Sequence, residues 1–214
     1  MRRTGGEVCN QEPIWAGGLT MSATRIAVLA LATLGVSAQS TAAVQGAQNP
    51  QVLIAAQREG MAPLDFMNGV WRGPATTTLP SGQVHNITQT ERIGPFLDGS
   101  IKVIEGRGYE PDGRVGFNAL GVISYDPVKK VHTMRSYAQG RSGDFVLTPT
   151  SDGFTWEIPA GPMTIRYTAV VKDGKWREVG DRIMPGQPPV RFFEMNLVRV
   201  GNTDWPGMGA VSPK

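Results

Sequence analysis

Residues 153–183, GFTWEIPAGPMTIRYTAVVKDGKWREVGDRI, decide the fold, because apolar and polar residues alternate along three runs that two turns separate. Asp173-Gly174 is a strong signal for a two-residue hairpin turn. Counting outward from that turn places Ala169 opposite Glu178. The second and third runs therefore form an antiparallel hairpin with a defined register.

The loop at 159–162 sets the register between the first two runs. Counting from it places Ile158 opposite Met163 and Trp156 opposite Ile165. Side chains of a strand point alternately to two faces of the sheet, and the mostly apolar face must be buried. That face carries Phe154, Trp156, Ile158, Met163, Ile165, Tyr167, Ala169, Val171 and Trp176.

Two charged residues, Glu178 and Arg182, fall on the same buried face. They are four residues apart on one strand, which is about 13 Å by strand rise, so each needs another interior partner, water or a ligand. On the opposite face the register places Arg166 beside Asp181. An exposed pair of this kind contributes under about 1 kcal/mol.

About ten strand-like runs succeed one another along the chain, with Gly, Pro and Asp in the gaps. They lie near 71–78, 84–93, 100–107, 117–125, 131–138, 143–148, 153–158, 163–172, 176–183 and 192–200. Nothing between them has the period of a crossover helix, so consecutive strands pair through short connections. The pattern predicts an all-β fold, an antiparallel up-and-down β-barrel of about ten strands, preceded by a short N-terminal helix at 51–58 and a turn at 63–67.

The N-terminal region has the pattern of a secretory signal peptide. An apolar run of 11 residues, 26–36, follows Arg25 and precedes small residues that end at Ala43. A membrane-spanning helix needs about 20 apolar residues, so we expect a leader over 1–43, with translation starting at Met21 and cleavage after Ala38 or, preferably, Ala43. The mature chain then has no transmembrane segment and is periplasmic or secreted.

The remaining boundaries follow from the change of period. We expect a linker and short helix over 44–63, the barrel over 64–200 and a flexible tail over 201–214. Because Cys9 is the only cysteine of the chain, its removal with the leader leaves no disulfide. An exported domain without disulfides depends on its hydrophobic core for stability.

Composition excludes two classes of protein. Apolar residues make up 40% of the chain and charged residues 18%, which is not the composition of a disordered chain. The 21 Lys and Arg are mixed with 18 Asp and Glu along the sequence. This lacks the clustered basic surface of a nucleic-acid-binding protein, so no nucleic-acid partner is expected.

Gly69-Val70-Trp71, directly after a short helical turn, resembles the Gly-x-Trp opening of lipocalin-like (calycin) barrels, and its extension to Gly73 is similar to nitrobindin-type barrels. Residues 64–200 resemble a bacterial family of uncharacterised lipocalin-like proteins. The segments that carry this resemblance are 64–71, Thr90-Glu-Arg92, Ser124-Tyr-Asp-Pro127, Gly143-Asp-Phe145, Thr164-Ile-Arg-Tyr-Thr168 and Phe192-Phe-Glu-Met195.

The resemblance implies roles for two residues near the barrel end. In calycins the opening Trp closes one end beneath an Arg of the last strand, so Trp71 and Arg199 are expected to be structural. Nitrobindins bind haem through a histidine near the C-terminus, whereas no His follows His132 in this chain. We therefore expect no haem bound in that way, and no cofactor.

Motifs for metal, nucleophile and phosphate chemistry are weak or missing. His85 and His132 are the only histidines and lie on different strands, so we expect no metal site. No Gly-x-Ser-x-Gly elbow occurs, and Gly106-Arg-Gly108 lacks the spacing and the helix of a phosphate loop.

Interior carboxylates are the remaining chemical signal. Ile87 brings His85, Gln89 and Glu91 onto its face, and Ile101 and Val103 bring Glu105. If Glu91, Glu105 and Glu178 converge, they shift one another's pKa and one of them becomes a general acid or base. The alternative is a satisfied interior network with Arg182 and Arg135.

The fifth strand leaves its orientation open. Arg135-Ser136-Tyr137 resembles the Arg-x-Tyr carboxylate clamp of fatty-acid-binding barrels, although that clamp lies on the final strand. The opposite face, with His132 and Met134, is equally acceptable as the inner one, in which case the Arg and Tyr lie on the surface. The candidate ligand-binding residues are Glu91, Glu105, Arg135, Tyr137, Trp156, Tyr167, Glu178 and Arg182.

The sequence thus predicts an exported lipocalin-like barrel that binds a small amphipathic or anionic molecule, since a barrel of this size has room for one small ligand. Two other functions are consistent with the same residues: an enzyme that uses an interior Glu as general acid or base, and a structural or partner-binding envelope protein with a filled barrel. Ligand identity and oligomeric state are open.

Overall fold

The structure, a computed structural model, describes residues 49–207 of the 214-residue chain. The expected leader over 1–43 lies outside the described residues. Helix α1 (Pro50–Met61) begins at Asn49, whose side chain accepts a hydrogen bond from the Gln51 backbone N–H at 3.0 Å. A 3₁₀ helix (Ala62–Met67) follows directly, so the expected short helical elements are present and slightly longer.

Ten strands follow, close to the predicted runs. They are β1 (Gly69–Thr78), β2 (Val84–Phe96), β3 (Ile101–Tyr109), β4 (Val115–Asp126), β5 (Val131–Ala138), β6 (Arg141–Pro149), β7 (Gly153–Ala160), β8 (Met163–Lys172), β9 (Lys175–Ile183) and β10 (Val190–Gly201). Each pairs antiparallel with its neighbour in sequence, and β1 pairs with β10. Within the described residues, 69–201 therefore form a closed up-and-down barrel of ten strands, as the sequence predicts.

The register at Asp173-Gly174 is confirmed. Both turn residues have positive φ, 52° and 68°, which is the conformation of a type I′ hairpin turn. Ala169 pairs with Glu178, and Ile165 with Arg182.

The predicted register between β7 and β8 is wrong by two residues. Ile158 pairs with Ile165, and Ala160 with Met163, because β7 continues through Pro159 and the turn consists only of Gly161 and Pro162. Since a shift of two residues keeps every side chain on its face, the apolar face of β7, β8 and β9 is the interior, as expected.

The exposed pair predicted between Arg166 and Asp181 has other partners. These residues are opposite in the register, but Arg166 bonds Glu157 at 2.6 Å and Asp181 accepts from Arg191 at 2.7 Å. Both ion pairs lie on the outer wall.

One end of the barrel is closed by the N-terminal helices. Leu64, Met67 and Trp71 are at most 1% exposed, and the Trp71 indole donates to the Met67 carbonyl at 2.9 Å. The buried Lys102 ammonium donates to Asp65 of the 3₁₀ helix and to Asn68, the residue that follows this helix. These contacts fasten the helices to the strands around a filled apolar plug.

Arg199 strengthens the same end from outside. It pairs with Trp71 in the register, but its guanidinium lies over Gly69, where a Cβ would be 2.8 Å from Arg199 Nε. It donates to the Asn68 carbonyl at 3.1 Å. The structural roles that the calycin resemblance implies for Trp71 and Arg199 agree with these contacts.

The first part of the expected tail is packed against β2. Trp205 meets Phe96 edge-on, with ring centroids 5.8 Å apart, and the Arg92 guanidinium lies over the Trp205 ring. Arg92 also bonds Asp204 at 2.9 Å. Residues 202–207 are therefore held against the outer wall, and 208–214 lie outside the described residues.

Candidate functional site

The exposure of the inward-facing side chains changes along the barrel axis. Next to the helices these side chains are buried and mostly apolar, with Lys102 as a charged exception. Toward the other end, inward-facing residues keep accessible surface, among them His85, Glu91, Trp156, Tyr167 and Arg182. The candidate site is the part of the interior that these partly exposed side chains line, called the inner space below. The sheet register directs side chains of β2, β8 and β9 into it.

Glu178 and Glu91 lie in this space, and the region around their two carboxyl groups is called the floor below. Two indoles hold the Glu178 carboxylate. Trp156 Nε1 donates to Oε1 at 3.1 Å and Trp176 Nε1 donates to Oε2 at 3.2 Å. The side chain is 6% exposed. Loss of hydration raises the pKa of Glu178 to about 7, although the two indole hydrogen bonds favour the charged form.

Glu91 faces the same space from β2, and its carboxylate is packed against Gly106. Gln89 Nε2 donates to Glu91 Oε1 at 2.7 Å, and a Cβ at Gly106 would lie 2.9 Å from Oε1. Burial is the main reason that the pKa of Glu91 is raised to about 8; the Gln89 hydrogen bond opposes this shift, and the negative charges of Glu178 and Glu105 contribute to it. Two carboxyl groups that hold protons near neutral pH therefore share the floor.

Aromatic rings form one wall. The Trp156 and Tyr167 rings stack at 4.4 Å with an interplanar angle of 10°, and Tyr167 contacts Phe192 and Phe193 at 6.0 and 5.8 Å. Gly180 makes room for this group, because a Cβ there would lie 3.0 Å from both Phe193 and Tyr167. Burial, followed by the charge of Glu178, raises the pKa of the Tyr167 hydroxyl.

Arg182 lies nearer the accessible end, on the same face of β9 as Glu178. Its guanidinium carbon is 4.4 Å from the centroid of the Phe192 ring. Its Nη2 is buried and has no hydrogen-bond partner among the described residues. A buried donor without a partner costs about 1–3 kcal/mol of stability. Arg182 Nη2 therefore departs from the rule that buried polar atoms are hydrogen-bonded.

Three of the eight candidate residues lie on the outer face: Glu105, which was expected inside, and Arg135 and Tyr137, whose orientation the sequence left open. Glu105 points outward and bonds Arg107, because Glu91 pairs with Gly106 and so directs the even-numbered residues of β3 inward. Arg135 and Tyr137 also lie on the outer wall, since Ile123 of β4 pairs with Met134. The inner face of β5 is the one that carries His132 and Met134.

Two of these three residues line an outer cleft of about 470 Å³, formed between β3 and β6. In the cleft, Glu105 forms an ion pair with Arg107. Beside the cleft, Arg135 forms an ion pair with Asp144 at 2.7 Å. The cleft is open to solvent. We therefore place the functional site in the interior, where Glu91, Glu178 and Arg182 form no ion pair among the described residues.

The interior also contains residues that sequence reasoning did not select. Phe192 and Phe193 both face inward because a bulge in β10 interrupts its alternation. Lys102 is 2% exposed although lysine is rarely buried. The small residues Gly106 and Gly108, on one face of β3, were an available signal that bulky side chains of β2 pack there.

The histidines have structural partners. His85 lies 3.0 Å from Glu110, and His132 Nε2 lies 2.7 Å from the Gly60 carbonyl. Within residues 49–207, no group of three or more His, Cys, Asp or Glu is arranged to hold a metal ion. No helix in this part of the chain is long and apolar enough to cross a membrane.

Comparison with known proteins supports the fold. No family model and no curated protein matches the chain. Among solved structures, Rv2717c from M. tuberculosis has 11% sequence identity and a TM-score of 0.50, over 65% of this chain and 96% of that chain. An S-type phycobiliprotein lyase, CPES from Guillardia theta, has 12% identity and a TM-score of 0.45, over 70% and 98%.

The closed ten-strand topology, together with the likeness to Rv2717c, gives the chain a lipocalin-like (calycin) barrel fold. This agrees with the class that the Gly69-Val70-Trp71 opening indicates. At this level of identity the comparison concerns the fold alone, so function has to be argued from the interior itself.

Proposed function

We propose that this chain is an exported lipocalin-like barrel that binds one small amphipathic anion in its interior. The anionic group would bond Arg182, and the apolar part would lie against Trp156 and Tyr167. The observation that carries the proposal is the buried Nη2 of Arg182, which has no partner. A guanidinium offers five N–H donors in a planar fork that matches a carboxylate or similar anion.

The surroundings of Arg182 fit an amphipathic rather than a purely polar ligand. Binding sites for small molecules are mostly apolar, with a few polar groups that orient the ligand. Here the apolar part is the aromatic wall of Trp156, Tyr167, Phe192 and Phe193, several of which keep accessible surface. The polar groups are Arg182 and the two floor carboxyls.

Ligand binding is tested first by native mass spectrometry of gently purified protein, which we expect to show a retained small molecule. Titration with 1-anilinonaphthalene-8-sulfonate, an aromatic anion, then gives an affinity. Arg182→Met should weaken this affinity roughly tenfold to hundredfold, which corresponds to loss of a charge-assisted hydrogen bond worth about 1.5–3 kcal/mol.

Arg177→Met is the matched control, because Arg177 lies on the same strand, faces outward and bonds Glu194 at 3.1 Å. We expect this variant to bind within about twofold of the unchanged protein. Thermal melts show whether both variants fold. Equal affinities of the two variants would contradict the proposed site.

Export rests on the apolar run at 26–36 and the small residues that follow it. We expect the N-terminus of exported protein, determined by sequencing, to lie within a few residues of Val44. An exported protein that keeps Met1 or Met21 would contradict this part of the proposal.

An enzyme is the second candidate function, favoured by two carboxyls whose pKa lies near neutrality. An acid or base is most effective when its pKa is close to the working pH. For a substrate recovered by the mass-spectrometric experiment, Glu178→Gln should then abolish turnover while binding is retained. Turnover that survives in Glu178→Gln would exclude this role for Glu178.

A further inference from the structure

The hydrogen bonds of Glu178 and Glu91, on the floor of the inner space, limit which chemical group of a ligand fits beside them. Glu178 accepts from two indoles and Glu91 accepts from an amide, so all three donors are neutral. No ion pair links either carboxyl to a cation in the described part of the chain. A carboxylate has about four acceptor positions, so hydrogen-bonding capacity on the floor is unused.

Other charged or titratable groups face the interior from the neighbouring strands, and several are already engaged. They are His85 of β2 beside Glu110, Lys102 of β3 bonded to Asp65, Tyr125 of β4 packed against His132, His132 of β5 beside the Gly60 carbonyl, Arg141 of β6, Tyr167 of β8 and Arg182 of β9. On the inner faces of β1 and β10, Trp71 and Met195 do not titrate, and Arg199, opposite Trp71, donates to the Asn68 carbonyl at 3.1 Å. Neither floor carboxyl is therefore paired with a cation in the described part of the chain, and the negative charge of Glu178 acts on Glu91.

We infer that the ligand carries a neutral hydrogen-bond acceptor, such as a carbonyl or ether oxygen, at its inner end, and that a protonated Glu91 or Glu178 donates to it. This inference rests on the proposed function, since it assumes that the anionic end is held by Arg182. An ionised pair of carboxylates would repel an anionic ligand, whereas a protonated carboxyl is neutral and provides an O–H donor.

The electrostatics of the site support the protonated form. Burial brings the pKa of Glu178 to about 7, and burial together with the negative charges of Glu178 and Glu105 brings that of Glu91 to about 8. A bound anion adds a further negative charge and therefore favours protonation of both. Binding should accordingly take up protons and weaken as the pH rises through 7 and 8.

A ligand with an ammonium at its inner end is the opposite case. It would need the ionised carboxylates, and its affinity would rise with pH over the same range. The chemical class of the inner end therefore predicts the sign of the pH dependence.

Three matched probes distinguish the two cases: 3-(4-acetylphenyl)propanoate, 3-[4-(aminomethyl)phenyl]propanoate and 3-(4-isopropylphenyl)propanoate. They share a carboxylate for Arg182 and differ at the other end in an acceptor, an ammonium or an apolar group. Affinities are measured by calorimetry at pH 6 and pH 9. We expect the acetyl probe to bind roughly threefold to tenfold more tightly than the isopropyl probe at pH 6, the effect of one hydrogen bond, and to lose this advantage at pH 9.

Glu91→Gln and Glu178→Gln keep an N–H donor without a titratable group. At least one of them should retain the preference for the acetyl probe at pH 9, while Glu157→Gln, an exposed control on β7, should behave as the unchanged chain. Equal binding of the acetyl and isopropyl probes at pH 6, or tighter binding of the ammonium probe, would overturn the inference. If binding still depends on Arg182, the proposed function stands; if none of the probes binds, both fail.

Discussion

Replacing Glu178 by Gln should flatten the dependence of stability on pH. Burial moves the pKa of this carboxyl from 4.5 to about 7 in the folded chain. Each pH unit between the two values corresponds to about 1.4 kcal/mol, so keeping Glu178 ionised in the interior costs about 3 kcal/mol. This cost is absent at pH 4.5 and complete above pH 7.

The sign follows from proton binding. Between pH 4.5 and 7 the folded chain holds a proton on Glu178 that the unfolded chain has released, so the free energy of unfolding falls as the pH rises. Glu91 acts with the same sign up to about pH 8. Because the two carboxyls interact, the steps seen in a titration belong to the pair.

The assay is urea unfolding followed by tryptophan fluorescence at pH 5, 6, 7 and 8. We expect the unfolding free energy of the unchanged chain to fall between pH 5 and pH 8, and the fall to be smaller by about 3 kcal/mol in Glu178→Gln. Glu157→Gln should follow the unchanged chain, since Glu157 is exposed and paired with Arg166. If Glu178→Gln keeps the full pH dependence, Glu178 is not the buried acid described above.

Three further outcomes follow from particular contacts. Gly106→Ala should displace the Glu91 carboxylate, because the new Cβ would lie 2.9 Å from Oε1. We expect it to lower the unfolding free energy by about 1–3 kcal/mol. Gly121→Ala is the control and should lower it less in the same urea series, because the nearest neighbour of its Cβ would be 3.5 Å away. Arg135→Met and Tyr137→Ala should leave the affinity for 1-anilinonaphthalene-8-sulfonate unchanged within about twofold, since both side chains lie on the outer wall; a tenfold loss in fluorescence titration would return them to the site. Trp205→Ala should cost about 1–3 kcal/mol in thermal melts, because it removes the ring packed on Phe96, and an unchanged melting temperature would show that this segment is not docked in solution.

The sequence predicted best where a turn determined the register. At Asp173-Gly174, two residues with positive φ fix which residues face each other, and the inner position of Glu178 and Arg182 follows directly. At Gly161-Pro162 the turn was read as two residues too long. The inner and outer faces of β7 were nevertheless predicted correctly, because a register error of two residues leaves every side chain on the same face.

The faces of β3 and β5 could not be deduced in the same way, because apolar residues occur on both. Val103 of β3 points outward and Ile104 points inward. On β5, Val131 and Met134 lie on opposite faces. Where alternation does not separate apolar from polar residues, only pairing with the neighbouring strand determines the inner face. This is why Glu105 was misplaced and why the orientation of Arg135 stayed open.

Two features of the site depend on three-dimensional geometry alone. The bulge in β10 turns both Phe192 and Phe193 inward, which a period of two does not predict. The missing partner of Arg182 Nη2 depends on where every other interior donor and acceptor lies. Sequence analysis indicated that Arg182 is inside, but only the structure shows that its guanidinium is incompletely bonded.

The central claim, that a small amphipathic anion binds inside the barrel, is tested most directly by nuclear magnetic resonance of the tryptophan indole N–H groups. The ¹⁵N-labelled chain is titrated with 3-(4-acetylphenyl)propanoate at pH 6. We predict that the Trp156 indole resonance shifts with saturation, because this ring lines the inner space, while that of Trp205 on the outer wall stays in place. A shift confined to Trp205, or no change at Trp156 at saturating ligand, would contradict the account.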